Sequence, residues 1–228
     1  MFAVLTASSD RVLARDLARL APCEVAAAPL TEQVGLPFRL PERDFDWIFF
    51  TSARTLYFLG EDGRAFVRNS SARIASVGPA TTRALHREGL TADLEPANHS
   101  AAGLVASLML LSHPGQSAWL PGSAKAKLTL ATGLSNLGLT PTRTAVYDTV
   151  PVGELPTEYG CADVVAITSA SAASALAELM VPAPPVVTIG APSRKGALDV
   201  GLTVLDSATE PTAEGLAQSL ERVSKKFH

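Results

Sequence analysis

Residues 46–59 read DWIFFTSARTLYFL and residues 163–176 read DVVAITSASAASAL, and the match continues beyond both. ARIASVGPATTRALHREGL at 72–90 is echoed by VVTIGAPSRKGALDVGL at 186–202, and EPANHSAAGLVASL at 95–108 by EPTAEGLAQSL at 210–220. The offset is nearly constant. Asp46 to Asp163 and Thr51 to Thr168 span 117 positions, while Gly78 to Gly190, Gly89 to Gly201 and Gly103 to Gly215 span 112. One deletion of five residues reconciles them. A repeat this long exceeds a solenoid unit of roughly 20 to 50 residues, so it marks two copies of a domain-sized fold. A ligand site is expected between the copies.

The rest of the chain decides how the copies connect. Met1–Pro29 resembles Ala118–Tyr147: each has an apolar run, a Ser/Gly loop, a Leu-spaced helix and a second apolar run. The order is thus short unit, long unit, short unit, long unit. The Pro-rich, non-periodic segments are TEQVGLPFRLPER at 31–43 and VPVGELPTE at 150–158, which read as linkers. With linkers near 31–43 and 148–158, one domain comprises 1–33 with 153–228, and the other is inserted as 36–149. The chain crosses between them twice.

Within each long unit, Trp47–Phe50 and Val164–Ile167 are short apolar runs that suit strands buried on both faces. Each ends in a Thr-Ser pair, and helical spacing follows at Ala53–Leu59 and Ala172–Leu179, with the preceding Ser or Thr as N-cap. Strand, Gly-containing loop and helix recur at Ile74–Leu85 and Val186–Leu198. Ala101–Leu111 and Ala213–Val223 add a further helix. Strands alternating with helices predict an α/β class with parallel sheets covered on both sides, about five strands to a domain.

Composition narrows the class. With 47% hydrophobic residues the chain has ample core material, yet no apolar run approaches the length of a membrane span. The N-terminus starts a strand at Phe2–Leu5 without a basic leader, so a cytoplasmic protein is expected. Only Cys23 and Cys161 are present, too few for a disulfide framework or a thiolate metal site, and both are expected as small buried hydrophobes. Net charge is −3 and basic residues form no block beyond Lys225–Lys226, which disfavours a nucleic-acid surface. Nothing demands an oligomer, so a monomer is the expectation.

In parallel α/β sheets ligands bind beyond the carboxyl ends of the strands. The candidate loops are Thr6-Ala7-Ser8-Ser9, Thr51-Ser52-Ala53-Arg54, Gly78-Pro79-Ala80-Thr81-Thr82, Pro121-Gly122-Ser123, Thr168-Ser169-Ala170-Ser171 and Gly190-Ala191-Pro192-Ser193. They are rich in hydroxyls and poor in charge. Several helix N-termini converging on one cleft suit a ligand with many carboxylates or phosphates. Plain capping would account equally for any one of these hydroxyls.

Other chemistry is scarce. His86, His99, His113 and His228 show no metal-ligand spacing, and neither GxGxxG nor GxxxxGK[ST] occurs, so no metal and no nucleotide cofactor is expected. Tyr147, in AVYDTV, stands at the end of a strand that runs into the second crossover. It is either a core phenol or a group at the mouth of the interdomain cleft.

The DWIFFTSA segment, VGPATTRAL followed by Gly89, the Leu130, Leu134 and Gly138 spacing ending in AVYDT, the second TSAS, and IGAPSRKGAL followed by Gly201 together resemble the uroporphyrinogen-III synthase family over essentially the full length. The resemblance implies two flavodoxin-like α/β domains joined by two strands, the first built from both chain ends. It implies cofactor-free closure of hydroxymethylbilane, handed over by the upstream deaminase, with loss of water and inversion of ring D. This step belongs to haem, sirohaem and cobalamin biosynthesis.

By the same resemblance Tyr147 assists hydroxyl loss, and Thr81, Ser169 or Ser171, and Ser193 contact substrate. The strand-end loops add Thr6, Ser8, Thr51, Ser52, Gly78, Thr82, Gly122, Ser123, Thr168 and Gly190 as candidate contacts, with Lys127 beside them. Three positions depart from the family pattern. Thr6-Ala7 stands where a Thr-Arg pair is usual, Ser193 where a threonine is common, and Lys127 where an arginine is common, keeping charge but losing the bidentate fork. A catalytically silent tetrapyrrole or small-ligand sensor on the same fold, and a hinge-closing two-domain binding protein, remain open readings at this level.

Overall fold

Short runs of branched and aromatic residues form the central strands, because both faces of each run can be covered by helices and every second side chain finds an apolar partner. The computed structural model describes residues 1–7 and 11–225. The chain divides into two compact units, Met1–Glu32 with Val150–His228, and Gln33–Thr149.

The first unit contains strands β1 (Phe2–Leu5) and β2 (Glu24–Ala27) flanking helix α1 (Arg11–Leu20). Far along the chain it adds β8 (Val164–Ile167), α7 (Ala170–Leu179), β9 (Val186–Thr188), α8 (Ala191–Asp199), β10 (Val204–Ser207) and α9 (Ala213–Ser224). The sheet order is β10-β9-β8-β1-β2, with every registered neighbour parallel. Alternation sorts the side chains. Ala3, Leu5, Val164 and Ala166 pack on Leu17 of α1 and on Leu216 and Leu220 of α9. Val4, Val165 and Ile167 face Leu176 of α7 and Ala197 of α8. Each fully buried aliphatic side chain contributes roughly 1.5–3 kcal/mol.

The second unit follows the same logic. It comprises β3 (Thr31–Gly35), β4 (Trp47–Phe50), α2 (Arg54–Phe58), α3 (Gly60–Asn69), β5 (Arg73–Ser76), α4 (Pro79–Arg87), α5 (Ala101–Leu108), β6 (Ser117–Ser123), α6 (Thr129–Asn136) and β7 (Thr140–Pro151). The sheet order is β3-β7-β6-β4-β5, and the pairs from β7 through β5 are parallel. Ile48, Phe50 and Trp119 pack with Leu56, Val67 and Leu85. Trp47, Phe49 and Ala118 pack with Leu104, Leu108, Leu130 and Leu134.

The repeated residues have repeated duties. Asp46 accepts hydrogen bonds from the Ser117 N–H (2.7 Å) and hydroxyl (2.9 Å), fixing the start of β6 beside β4. Asp163 accepts from the Phe2 N–H at 2.6 Å, fixing β1 beside β8. Ser100 and Thr212 cap α5 and α9 by accepting from the N–H groups of Gly103 (3.0 Å) and Gly215 (3.1 Å). A Cβ on Gly103 would lie 1.9 Å from the Asn98 carbonyl oxygen, and one on Gly215 would lie 2.2 Å from that of Glu210. No side chain fits at either position.

Segment 31–43 begins as β3, and segment 148–158 begins inside β7; β3 and β7 are neighbours in the sheet and satisfy backbone groups that coil would leave to water. A 3₁₀ helix at Thr157–Cys161 then places Tyr159 in the core, its hydroxyl donating to the Ala28 carbonyl at 2.6 Å. Burial, followed by the nearby Glu158 charge, pushes the Tyr159 phenol well above its ordinary value. Among the described residues no helix is long and apolar enough to cross a membrane.

Candidate active site

In the first unit the loops after β8 and β9 border a cavity of about 680 Å³, lined by Thr168, Ser169, Gly190, Ser193, Arg194 and Ser207 among others, and by no carboxylate among the described residues. Ser169 is the N-cap of α7, accepting from the Ala172 N–H at 3.1 Å, and its hydroxyl lies 3.0 Å from that of Ser171. Ser193 is buried and donates to the Gly190 carbonyl at 2.9 Å. Thr6 is also buried. Its hydroxyl oxygen accepts from the Thr168 N–H at 3.1 Å and lies 3.2 Å from the Ala166 carbonyl, which ties the end of β1 to that of β8. Ser8 lies outside the described residues.

In the second unit a cavity of about 490 Å³ opens at the carboxyl ends of β4 and β6, beside residues 143–145 in the first half of β7. Thr51, Gly122, Ser123 and Lys127 line it, with Arg143 from β7, and no carboxylate does among the described residues. The register of β6 on β7 shifts between Gly122 and Ser123, and this irregularity accompanies the opening. Ser52 does not stand at the N-cap of α2. Ala53 occupies that place, and the Ser52 hydroxyl accepts from the Arg54 N–H at 3.2 Å.

The Gly78 loop, at the end of β5, differs from its twin. Thr82 hydrogen-bonds through its hydroxyl to Ser76 and donates to the Glu95 carboxylate, and Glu95 in turn lies 3.7 Å from His99 Nε2. His99 also covers Gly78, since a Cβ on that glycine would come within 3.0 Å of the imidazole. Thr81 is buried in the first turn of α4. At the 112-residue offset the counterparts of Thr82, Glu95 and His99 are Arg194, Ser207 and Pro211. Around Gly190, among the described residues, nothing approaches a Cβ built on it within 4 Å. One loop is filled by its own carboxylate; the other is open and carries a cation.

Tyr147 sits inside β7, which continues to Pro151, rather than at the strand end, because the crossover residues stay in the sheet. Its ring is buried and stacks on Phe58 at 4.9 Å between centroids. Its carbonyl accepts from the Ala124 N–H at 2.8 Å, holding the loop after β6. The hydroxyl has no hydrogen-bond partner among the described residues.

Sequence reasoning passed over Glu95, Arg143 and Arg194, and read His99 only for metal spacing. For His99 and Arg194 the signal existed, since the repeat itself diverges there, whereas Glu95 was masked by the Glu-Pro shared with residues 210–211. Cys161 is exposed rather than buried, since the 3₁₀ helix turns Tyr159 inward in its place. Cys23 is half-buried on the first core, and burial raises its thiol pKa. Among the described residues no group of His, Cys, Asp and Glu is placed to hold a metal ion.

The chain is similar in fold to a mutant uroporphyrinogen III synthase from the extremely thermophilic bacterium Thermus thermophilus, at 16% identity, 99% coverage of both chains and a TM-score of 0.61. It is likewise similar to the uroporphyrinogen-III synthetase of Helicobacter pylori, at 16% identity, 99% coverage of both chains and a TM-score of 0.66. No curated protein sequence matches it significantly. The family model described as uroporphyrinogen-III synthase HemD matches residues 12–218, nearly the whole chain. The chain therefore belongs to the uroporphyrinogen-III synthase family.

Proposed function

We propose that the chain closes hydroxymethylbilane to uroporphyrinogen III without a cofactor, binding the substrate's carboxylate arms in the two loop cavities. The observation that carries this reading is that each unit presents, beyond strand ends of a parallel sheet, a hydroxyl-lined cavity with a cation on its wall and, among the described residues, no acid. That is the electrostatic complement of a polycarboxylate. In the first unit the first turns of α7 and α8 add N–H groups and their positive dipole ends. The order β2-β1-β8-β9-β10 supports a flavodoxin-like reading of the first sheet, and the second follows the same order with β3 in the last place.

The chemistry asks for little beyond positioning. A pyrrole nitrogen pushes electrons to the hydroxymethyl carbon, the C–O bond breaks, and the hydroxyl leaves as water after gaining a proton. The substituted α-carbon of ring D then attacks the methylene carbon of the resulting azafulvene to give a spiro-pyrrolenine. Its bond to the ring C bridge breaks, that bridge carbon bonds instead to the free α-carbon of ring D, and the free α-carbon loses its proton, which leaves the ring inverted. Tyr147 is the proposed proton donor. Its unpartnered hydroxyl and its ring, fixed against Phe58, support that role. Holding the chain folded so that the inverted route outruns direct closure is an orientation effect.

Because hydroxymethylbilane closes unaided, prompt capture matters, which favours transfer from the deaminase that makes it. We place the reaction in the cytoplasm and assign it to a monomer. The test is incubation with enzymatically generated hydroxymethylbilane: type III product is expected, and exclusively type I product would overturn the reading.

A further inference from the structure

We infer that Arg143 is a substrate-positioning residue, the fixed cation of a subsite in the second unit that takes one pyrrole ring through its carboxylate arms. The inference rests on the proposed function and adds to it a residue that no motif marks. Arg143 and Lys127 reach the same cavity from different elements, β7 and the loop before α6. Arg143 Nη2 donates to the Ala126 carbonyl at 3.0 Å, which holds the guanidinium across the cavity edge and leaves its remaining N–H groups unused among the described residues. Lys127 has no partner among the described residues either.

The contrast with Lys125, two residues away, is informative. Its ammonium is already satisfied by the Thr149 carbonyl and lies 3.8 Å from Asp148. Among the described residues no acid lines the cavity to neutralise Arg143 and Lys127 in that way. The remaining wall includes Phe49, Leu120 and Leu130, so a flat apolar ring can lie against it while its carboxylate meets the cations. At about 490 Å³ the space suits a single substituted ring rather than a whole tetrapyrrole. The planar fork of Arg143 can grip a carboxylate with two parallel bonds, which Lys127 cannot do, so Arg143 sets orientation and Lys127 adds charge.

Two measurements test this. Steady-state kinetics with enzymatically generated hydroxymethylbilane should show KM raised roughly ten- to hundredfold in R143Q, the loss expected for a charged hydrogen bond, with kcat within about threefold. R143K should fall between, and K225Q, a surface cation elsewhere, should match the unsubstituted protein. In parallel, porphobilinogen, a single pyrrole with one acetate and one propionate arm, is titrated into ¹⁵N-labelled protein. The amides of Gly122, Ser123 and Lys127 should shift, and the shifts should vanish in R143Q, whose dispersed spectrum reports that it is folded. Unchanged KM together with unchanged shifts in R143Q overturns the inference while type III turnover leaves the proposed function standing. If the unsubstituted protein makes no type III product, the proposed function falls, and the porphobilinogen titration alone decides whether the subsite exists.

Discussion

The rings of Phe58 and Tyr147 lie stacked, 4.9 Å between centroids and 20° from coplanar. This contact holds the phenol by its face, so the position of the hydroxyl depends on ring packing rather than on a hydrogen bond. Tyr147→Phe should therefore fold and melt as the unsubstituted chain does. General acid assistance is worth about 10² to 10⁴ in rate, and the pyrrole nitrogen already drives hydroxyl loss, so a fall near 10² in kcat is expected. The product that forms should still be type III, because ring inversion is set by the shape of the site. Phe58→Leu should lower activity and stability together, by about 1–2 kcal/mol in stability, measured by denaturant titration.

Ser193 gives its hydroxyl to the Gly190 carbonyl and is buried. Ser193→Ala should cost about 0.5–1.5 kcal/mol of stability, the net worth of a neutral hydrogen bond, with a similarly small change in kcat/KM. A thousandfold loss of turnover would show that the hydroxyl takes part in the reaction.

The divergence between Thr82 and Arg194 separates the two Gly loops. Arg194→Gln should raise KM about tenfold, because it removes the cation from the open cavity. Thr82→Ala should leave KM within about twofold and cost roughly 1 kcal/mol of stability, since its hydroxyl already bonds to Ser76 and Glu95. Equal effects on KM would mean that Glu95 and His99 yield to substrate.

Tyr159 fixes the pH window of alkaline stability. Its folded-state pKa is raised by burial, so the unfolded chain loses the proton first. The stabilisation is complete below the unfolded value near 10 and drains away as pH rises above it. Chemical denaturation between pH 8 and roughly 11 should show stability falling with pH, and Tyr159→Phe should flatten that slope. The same substitution leaves the Ala28 carbonyl without its buried donor, at a cost of about 1–3 kcal/mol at neutral pH.

The repeat made much of the fold legible, because Trp47–Phe50 and Val164–Ile167 carry an unambiguous buried-strand pattern and Ser100, Ser169 and Thr212 stand where caps belong. Helix α3 and the strand character of 31–35 were not legible. The first is dominated by charged and small residues, and the second gains its pairing only from β7, more than a hundred residues on. Of the candidate site, the loops could be named but not the state of their hydroxyls. Whether Thr82 faces a ligand or Glu95 depends on a contact thirteen residues away, for which local pattern carries no signal. Arg143 escaped for a related reason: on an alternating strand an arginine reads as a solvated face until its bond to the Ala126 carbonyl of the neighbouring loop is seen.

The collision awaiting any side chain at Gly103 or Gly215 bears on how the two halves have kept their likeness. The two Gly loops, by contrast, have diverged, as Thr82 against Arg194 shows. At the two capped glycines mutation finds no tolerated neighbour, since a single methyl group would strike a carbonyl oxygen about 2 Å away. Likeness between the halves is thus enforced where the backbone turns back on itself. An engineer splicing one half onto another should anchor the alignment on those glycines and expect the binding loops to misalign.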